Sequence, residues 1–408
     1  MSFFARFLVL ALVLLVSRSA FAQDVTVPQT ANRPDAPPYG LRGAYPVGAH
    51  SLNAADGAPL DLTMWYPALY AEDASLTEVG ISYDYTIKMD MLQGLSGTVA
   101  GRAIADADFD RTAAPYPLII LSPGFGLGRT AYGLGEHLAS HGMVVVAVEH
   151  DERVDETLST FWRGAVERPR DIVAVLDYAE AQAQNGALAG LIDMKNIAVI
   201  GHSYGGYTAL ALAGAQIDIA GMTTFCEAAG AEGDPGAWLC GLVLPYIDQM
   251  AALVRNDAPM DSLWESWSDP RIDAVVPMAG DAYFFGEAGL ASVTVPVLAL
   301  GGTADTGTPY TWGTAPTYDH VSSTRRARVG FENAEHMIFS TSCDDFALFT
   351  QIGFYAFCSD AVWDMARAHD LIAHFTTAFL LTDDPAAAAT LAPDAVTFTG
   401  IVYDAQGY

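Results

Sequence analysis

The sequence predicts an α/β fold, a mostly parallel sheet covered by helices on both faces, and three observations carry that prediction. Short unbroken apolar runs recur at 117–122, 143–149, 197–200, 274–278 and 295–300, and continuous apolarity marks strands buried on both sides. Helical patterns at 133–141 and 168–183 separate them, the second with Ile172, Val175, Leu176 and Ala179 on one face, so strands and helices alternate. The third observation is the junction Asn196-Ile-Ala-Val-Ile-Gly-His-Ser-Tyr-Gly-Gly206, where a β-branched run meets a small-residue helical pattern through a G-x-S-x-G turn. Strand, sharp turn and helix form the context in which that motif exposes its serine at the carboxyl edge of a sheet.

Taken in chain order, the first element is a processing signal over 1–22. Arg6 supplies positive charge, residues 7–16 are unbroken apolar, and Ser19-Ala20-Phe21-Ala22 is an A-x-A-type cleavage site. The apolar run is short for a bilayer span. Residues 23–40 carry Pro28, Pro34, Pro37 and Pro38 and read as an extended lead-in. One domain is expected over 41–408, beginning with a strand near 60–66. Further strands are expected at 274–278, 295–300 and 326–331, and a helix at 362–381. Two stretches break the alternation, at 70–113 and 220–270. The second holds Trp238, Trp264 and Trp267 with an amphipathic segment over 242–254, and a structured insertion at that sheet edge reads as a cap or lid.

Composition narrows the function classes. The formal charge is −29 over the full chain, and removing Arg6 and Arg18 with the signal makes it −31. Lys88 and Lys195 are the only lysines. Nucleic acid and anionic membranes are therefore poor partners. Beyond the signal no segment reads as transmembrane, so the mature protein is expected to be soluble and exported, secreted or periplasmic. Export permits disulfides. Of three possible pairings of the four cysteines, neighbour pairing, Cys226–Cys240 and Cys343–Cys358, is favoured because each staples a loop. No His joins the cysteines at metal-ligand spacing, so no metal is expected.

Ser203 is the candidate nucleophile, and a hydroxyl needs a base to take its proton. In the chain order Ser, acid, His, the base must follow residue 203. His50, His137, His141 and His150 precede it, and His202, adjacent to the serine, reads as packing. His369 and His374 fall in the expected late helix. His336, in a polar loop after the 326–331 strand, is the candidate base, with His320 in reserve. Asp305 follows the 295–300 strand and its glycines and is the candidate acid. Asp281, after the 274–278 strand, is the alternative, and whichever is unused reads as a solvated carboxylate. An oxyanion requires two preorganised N–H donors. The residue after the nucleophile, Tyr204, supplies one, and Phe125 in the glycine-rich loop Ser122-Pro-Gly-Phe-Gly-Leu-Gly128 supplies the other.

These residues resemble those of the α/β-hydrolase superfamily. More narrowly, the chain is similar to the group joining plasma-type platelet-activating-factor acetylhydrolases and dienelactone-hydrolase-like bacterial serine esterases. The resemblance rests on Ser122-Pro-Gly-Phe-Gly with Arg129 and Tyr132, on Leu138-Ala-Ser-His-Gly-Met-Val-Val-Val-Ala-Val-Glu-His150, on Arg170-Asp-Ile-Val-Ala-Val-Leu-Asp177 and on Gly201-His-Ser-Tyr-Gly-Gly206. It implies a cofactor-free, calcium-independent carboxylic-ester hydrolase working through an acyl-enzyme. The acetylhydrolases place the acid at the position of Asp281, the bacterial and polyester-cleaving relatives at that of Asp305. A serine stands where true dienelactone hydrolases carry cysteine. Lipid acetyl-ester or polyester hydrolysis are the nearer variants, and a catalytically silent binding protein on the same fold is the competing class.

Overall fold

The computed structural model describes residues 35–69, 81–86, 88, 90, 95–128, 132–152, 154–254 and 263–408. The expected signal over 1–22, most of the lead-in, and Arg129 lie outside the described residues. The described end of the lead-in forms a short 3-10 turn, Pro38–Gly40.

The strands, in chain order, are β1 (Val47–Leu52), β2 (Asp61–Pro67), β3 (Ser82–Thr86), β4 (Ser96–Ala100), β5 (Ile104–Ala105), β6 (Tyr116–Ser122), β7 (Val144–Glu149), β8 (Ile192–His202), β9 (Ala274–Met278), β10 (Val297–Gly302), β11 (Arg326–Phe331) and β12 (Ile401–Gln406). All but β3 and β4 form one sheet in the order β12-β11-β10-β9-β8-β6-β7-β2-β1-β5. Strands β6 to β11 are mutually parallel, while β2 and β12 run antiparallel to their neighbours.

Alternate side chains of a strand point to opposite faces, and the central strands are apolar at every position for that reason. Leu118, Ile120, Val144, Val146, Ile197 and Val199 pack under helices α2 (Gly164–Asn185) and α3 (Tyr204–Leu212). Ile119, Leu121, Val145, Ala147, Ala198 and Ile200 pack on the other face, under α1 (Tyr132–Ser140) and the late helix Met365–Leu380. In α2, Ile172, Val175, Leu176 and Ala179 are buried as their spacing predicts. That helix also contains Pro169, which lacks the N–H that would bond the Ala165 carbonyl. The buried Tyr207 hydroxyl donates to that oxygen instead, at 2.8 Å, locking α2 to α3.

The two irregular stretches take different forms. Within 70–113, β3 and β4 make a separate hairpin and β5 joins the main sheet at its edge, so this stretch is not purely an insertion. Within 220–270, α4 (Ile219–Glu232) leads into short helical segments that continue to Val254, and an Asp218–Leu263 bridge closes the base. Its side chains reach across the sheet's carboxyl edge: Tyr246 stacks on Trp162, while Phe225 and Asp234 meet Trp312. The cysteines pair as neighbours, Cys226–Cys240 within this excursion and Cys343–Cys358. One expectation is corrected here. The helical run Pro235–Val254 is long and apolar enough to cross a bilayer by length and composition. Read in place, it is broken by a 3-10 turn containing Pro245, and Leu239, Val243 and Met250 are buried.

Candidate active site

Strand β8 ends at His202 and α3 begins at Tyr204, leaving Ser203 alone at the turn with φ 54° and ψ −121°. That conformation is costly for any residue with a Cβ, so the surroundings must enforce it. The Ser203 N–H donates to the Met278 carbonyl of β9 at 2.8 Å, and its own carbonyl accepts from Gly206 and Tyr207. Gly205 is required by close approach: a Cβ there would lie 2.0 Å from the Ser122 carbonyl oxygen. The turn is thus pressed against the end of β6, and Ser203 keeps partial solvent access.

His336 opens a 3-10 turn after β11. Its Nδ1 lies 2.8 Å from Asp305 Oδ2, and the other carboxylate oxygen accepts the N–H groups of Gly307 and Thr308, each at 2.8 Å. Gly307 lies flat against the imidazole, where a Cβ would come within 2.7 Å of the ring. Burial pushes the His336 pKa down, but the charge and hydrogen bond of Asp305, with Asp281 and Glu335 behind, outweigh it and leave the ring above its ordinary 6.5. The ring reaches the serine's neighbourhood through residue 202: the His202 and His336 centroids are 4.8 Å apart, and His202 Nε2 lies 3.1 Å from the His336 carbonyl oxygen. Burial, and then His336, push the His202 pKa well down. A neutral His202 therefore donates its Nε2–H to that carbonyl.

Asp281 differs from expectation. It makes no hydrogen bond to His336; Oδ1 accepts the Thr308 hydroxyl at 2.8 Å, and Oδ2 is buried without a partner among the described residues. It is 1% exposed, not a solvated carboxylate, because the loop after β9 folds inward under Thr308. Burial pushes its pKa up to about 6. His320 ends the helix Thr314–His320 and forms no hydrogen bond to Ser203, Asp281 or Asp305.

Comparison with known proteins agrees with this architecture. A family model described as PET hydrolase-like matches residues 73–226. Cutinase est2 of Thermobifida alba is 36% identical over 112 residues, 27% of this chain and 34% of that protein. Cutinase 2 of Thermobifida cellulosilytica is 34% identical over 112 residues, 27% of this chain and 39% of its own. The platelet-activating factor acetylhydrolase of Bos taurus is 33% identical over 146 residues, 24% of this chain and 32% of its own. The mostly parallel sheet with helices on both faces is consistent with the α/β-hydrolase fold. The chain matches about a third of the length of these relatives, and the family match ends before Asp305 and His336.

Within the α/β-hydrolase frame, the loop after β6 is the least foreseen part of the site. Phe125 lies in it, its ring 6.0 Å from that of Tyr204, and Tyr204 as the first residue of α3 has an N–H with no intrahelical acceptor. Ser122 Oγ is 2.9 Å from His150 Nε2, and His150 Nδ1 is 2.8 Å from Asp171. This is a second Ser–His–Asp chain that sequence order had set aside. Its serine and imidazole are buried, and burial, then the Arg168 charge, hold His150 down at about 3. The chain is a brace for the loop. Arg168, which no motif in the sequence singles out, is fully buried. Its spacing, four residues before the buried Ile172, puts it on the inner face of α2 and hints at its burial.

Proposed function

We propose that this protein is an exported serine hydrolase that cleaves carboxylic esters through an acyl-enzyme. The observation that carries the reading is the Asp305–His336 pair at 2.8 Å, whose imidazole lies 4.8 Å from that of His202, the residue before a serine held at φ 54° on a strand-to-helix turn. His336 accepts the Ser203 proton as the oxygen attacks the ester carbonyl, then returns it to the leaving alcohol. Asp305 fixes the imidazole with Nδ1–H donating, so that Nε2 is the basic nitrogen. The Phe125 and Tyr204 N–H groups hold the oxyanion, and water repeats the cycle on the acyl-enzyme. No cofactor enters these steps.

The likeness to cutinases and to platelet-activating factor acetylhydrolases supports an ester substrate and is compatible with lipid or polyester variants. The excursion from Ile219 to Val254 acts as a cap, since it contacts Trp162 on one side of the site and Trp312 on the other. Two disulfides and the leader-like residues 1–22 support export. Incubation with a fluorophosphonate followed by peptide mapping tests the reading. Modification at Ser203 is expected, and an unlabelled wild-type protein would give the field to a silent binding protein on this fold.

A further inference from the structure

The backbone of the loop after β6 is held by side chains on both sides of Phe125. Ser122 meets His150. The Pro123 and Gly124 carbonyls accept from Arg168 Nη1 and Nη2, at 2.6 and 3.2 Å. The Gly126 N–H donates to Glu152 Oε2 at 3.2 Å, and the Leu127 carbonyl accepts from Tyr85 at 2.6 Å. Arg168 and Glu152 also pair with each other in a two-point contact, one arm being Nη2 to Oε2 at 2.7 Å. Burial alone would raise the Glu152 carboxyl, but the Arg168 charge and hydrogen bonds hold it below its ordinary value.

We propose that the buried Arg168–Glu152 pair is a positioning device for the oxyanion site, setting the direction and strength of the Phe125 N–H. The argument is one of peptide geometry. The Gly124 carbonyl and the Phe125 N–H belong to the same planar trans unit, so they point in opposite directions. A guanidinium holding the oxygen on one side fixes the N–H on the other. Glu152 pins the next peptide through Gly126, so both units flanking Phe125 are set by one ion pair. A cation at the carbonyl also polarises that amide and makes its N–H a stronger donor. The Arg168 guanidinium lies 5.2 Å from the centre of the Tyr204 ring, tying the residue of the second donor to the same group. Lysine cannot do this, because one ammonium on a flexible stem cannot span two carbonyls and both carboxylate oxygens in a fixed plane.

The inference rests on Phe125 being an oxyanion donor, so its test separates the two claims. Arg168→Lys and Glu152→Gln are assayed with p-nitrophenyl butyrate, using only the folded fraction, and with phenylboronic acid, whose tetrahedral adduct with a serine places an oxygen where the oxyanion sits. Loss of a whole oxyanion donor costs about 10²–10³ in kcat. Misalignment of one should cost roughly 10–100-fold in Arg168→Lys and less in Glu152→Gln, with KM within about threefold. The boronate inhibition constant should rise by the same factor as kcat falls, and the acid limb of the pH–rate profile, set by His336, should not move. Glu152→Gln carries the test if Arg168→Lys does not accumulate. Variants that lose thermal stability but keep kcat and boronate affinity would overturn the inference and leave the catalytic reading intact. A wild type that neither hydrolyses the ester nor binds the boronate would overturn both.

Discussion

Replacing Asp305 by Asn should disable the base by reversing the imidazole tautomer, and the structure says why the amide cannot avoid doing so. Asp305 Oδ1 accepts two backbone N–H groups, from Gly307 and Thr308, each at 2.8 Å. An amide NH2 placed there would face two donors, so the carboxamide oxygen must take that position. The NH2 then occupies the Oδ2 position, 2.8 Å from His336 Nδ1, and donates to it. Nδ1 becomes the acceptor, the ring proton moves to Nε2, and the nitrogen that should receive the Ser203 proton already carries one. Loss of the correct tautomer costs about 10³–10⁴ in kcat, roughly 4–5.5 kcal/mol of transition-state stabilisation. The pH dependence adds a second reading. In the wild type Asp305 helps raise the His336 pKa above 6.5, and only the neutral ring is a base, so the acid limb of kcat/KM should lie above pH 6.5 and the residual limb of Asp305→Asn below the wild-type one. The assay is ester hydrolysis across pH 5–9 with the reactive serine titrated. A variant retaining kcat within about tenfold of wild type would refute the tautomer argument, as would an equal loss in Asp281→Asn.

Asp281→Asn should keep turnover within a few-fold and raise stability in a pH-dependent way. The folded pKa of about 6 lies above the ordinary 3.8, so native ionisation is opposed by burial: the deficit opens between about pH 4 and 6 and is complete above about pH 7, at up to about 3 kcal/mol. Denaturant melts of both proteins at pH 4 and pH 8 should diverge only at pH 8, and equal differences at both would exclude this origin. Replacing both Cys226 and Cys240 with Ser removes a cross-link with a sequence separation of 14, worth about 3 kcal/mol of unfolded-state entropy. A thermal midpoint unchanged by this double substitution would show that the cap is held by packing alone.

The sheet interior was legible because burial on both faces leaves no polar position to interrupt the pattern, as in Leu118-Ile-Ile-Leu121 and Val144-Val-Val-Ala-Val148. The edges were not. Strand β1 is buried only over Val47–Ala49 and β12 has no fully buried residue, so their short mixed runs look like loops until a neighbour pairs with them. The β3–β4 hairpin did carry a signal: Tyr83 and Tyr85 are buried between exposed Ser82, Asp84 and Thr86, a period of two that reads as a half-buried strand. The turn at Ser203 was legible because its signature, Gly201 to Gly206, is contiguous in the chain. The choice between Asp305 and Asp281 was not, since both follow a parallel strand at the same edge. In space the two part: the Thr308 hydroxyl donates to Asp281, while the Thr308 N–H donates to Asp305, and it is Asp305 that bonds His336. Arg168 was illegible because its partners stand 16, 44 and 45 residues away.

Two His–Asp pairs stand in this fold, His150 with Asp171 and His336 with Asp305, and the two imidazoles differ in environment. In Ser122–His150–Asp171, burial acts on the imidazole with the Arg168 cation beside it, and both disfavour a charged ring. Held down at about 3, this imidazole is a weak base, and its serine is buried. Around His336, burial acts in the same sense, but three carboxylates face the ring and the nearest is fixed by two backbone donors, so the charged form is favoured. At His150 the cations Arg168 and Lys88 act against the carboxylates Glu152 and Glu149 and burial is the largest effect, whereas at His336 the carboxylates together outweigh burial. Neither the residue types nor their order along the chain encodes that sign. It is written in which charges the fold brings within a few ångströms of each ring, and Arg168, by silencing His150 while holding the loop at Phe125, acts on both sites at once.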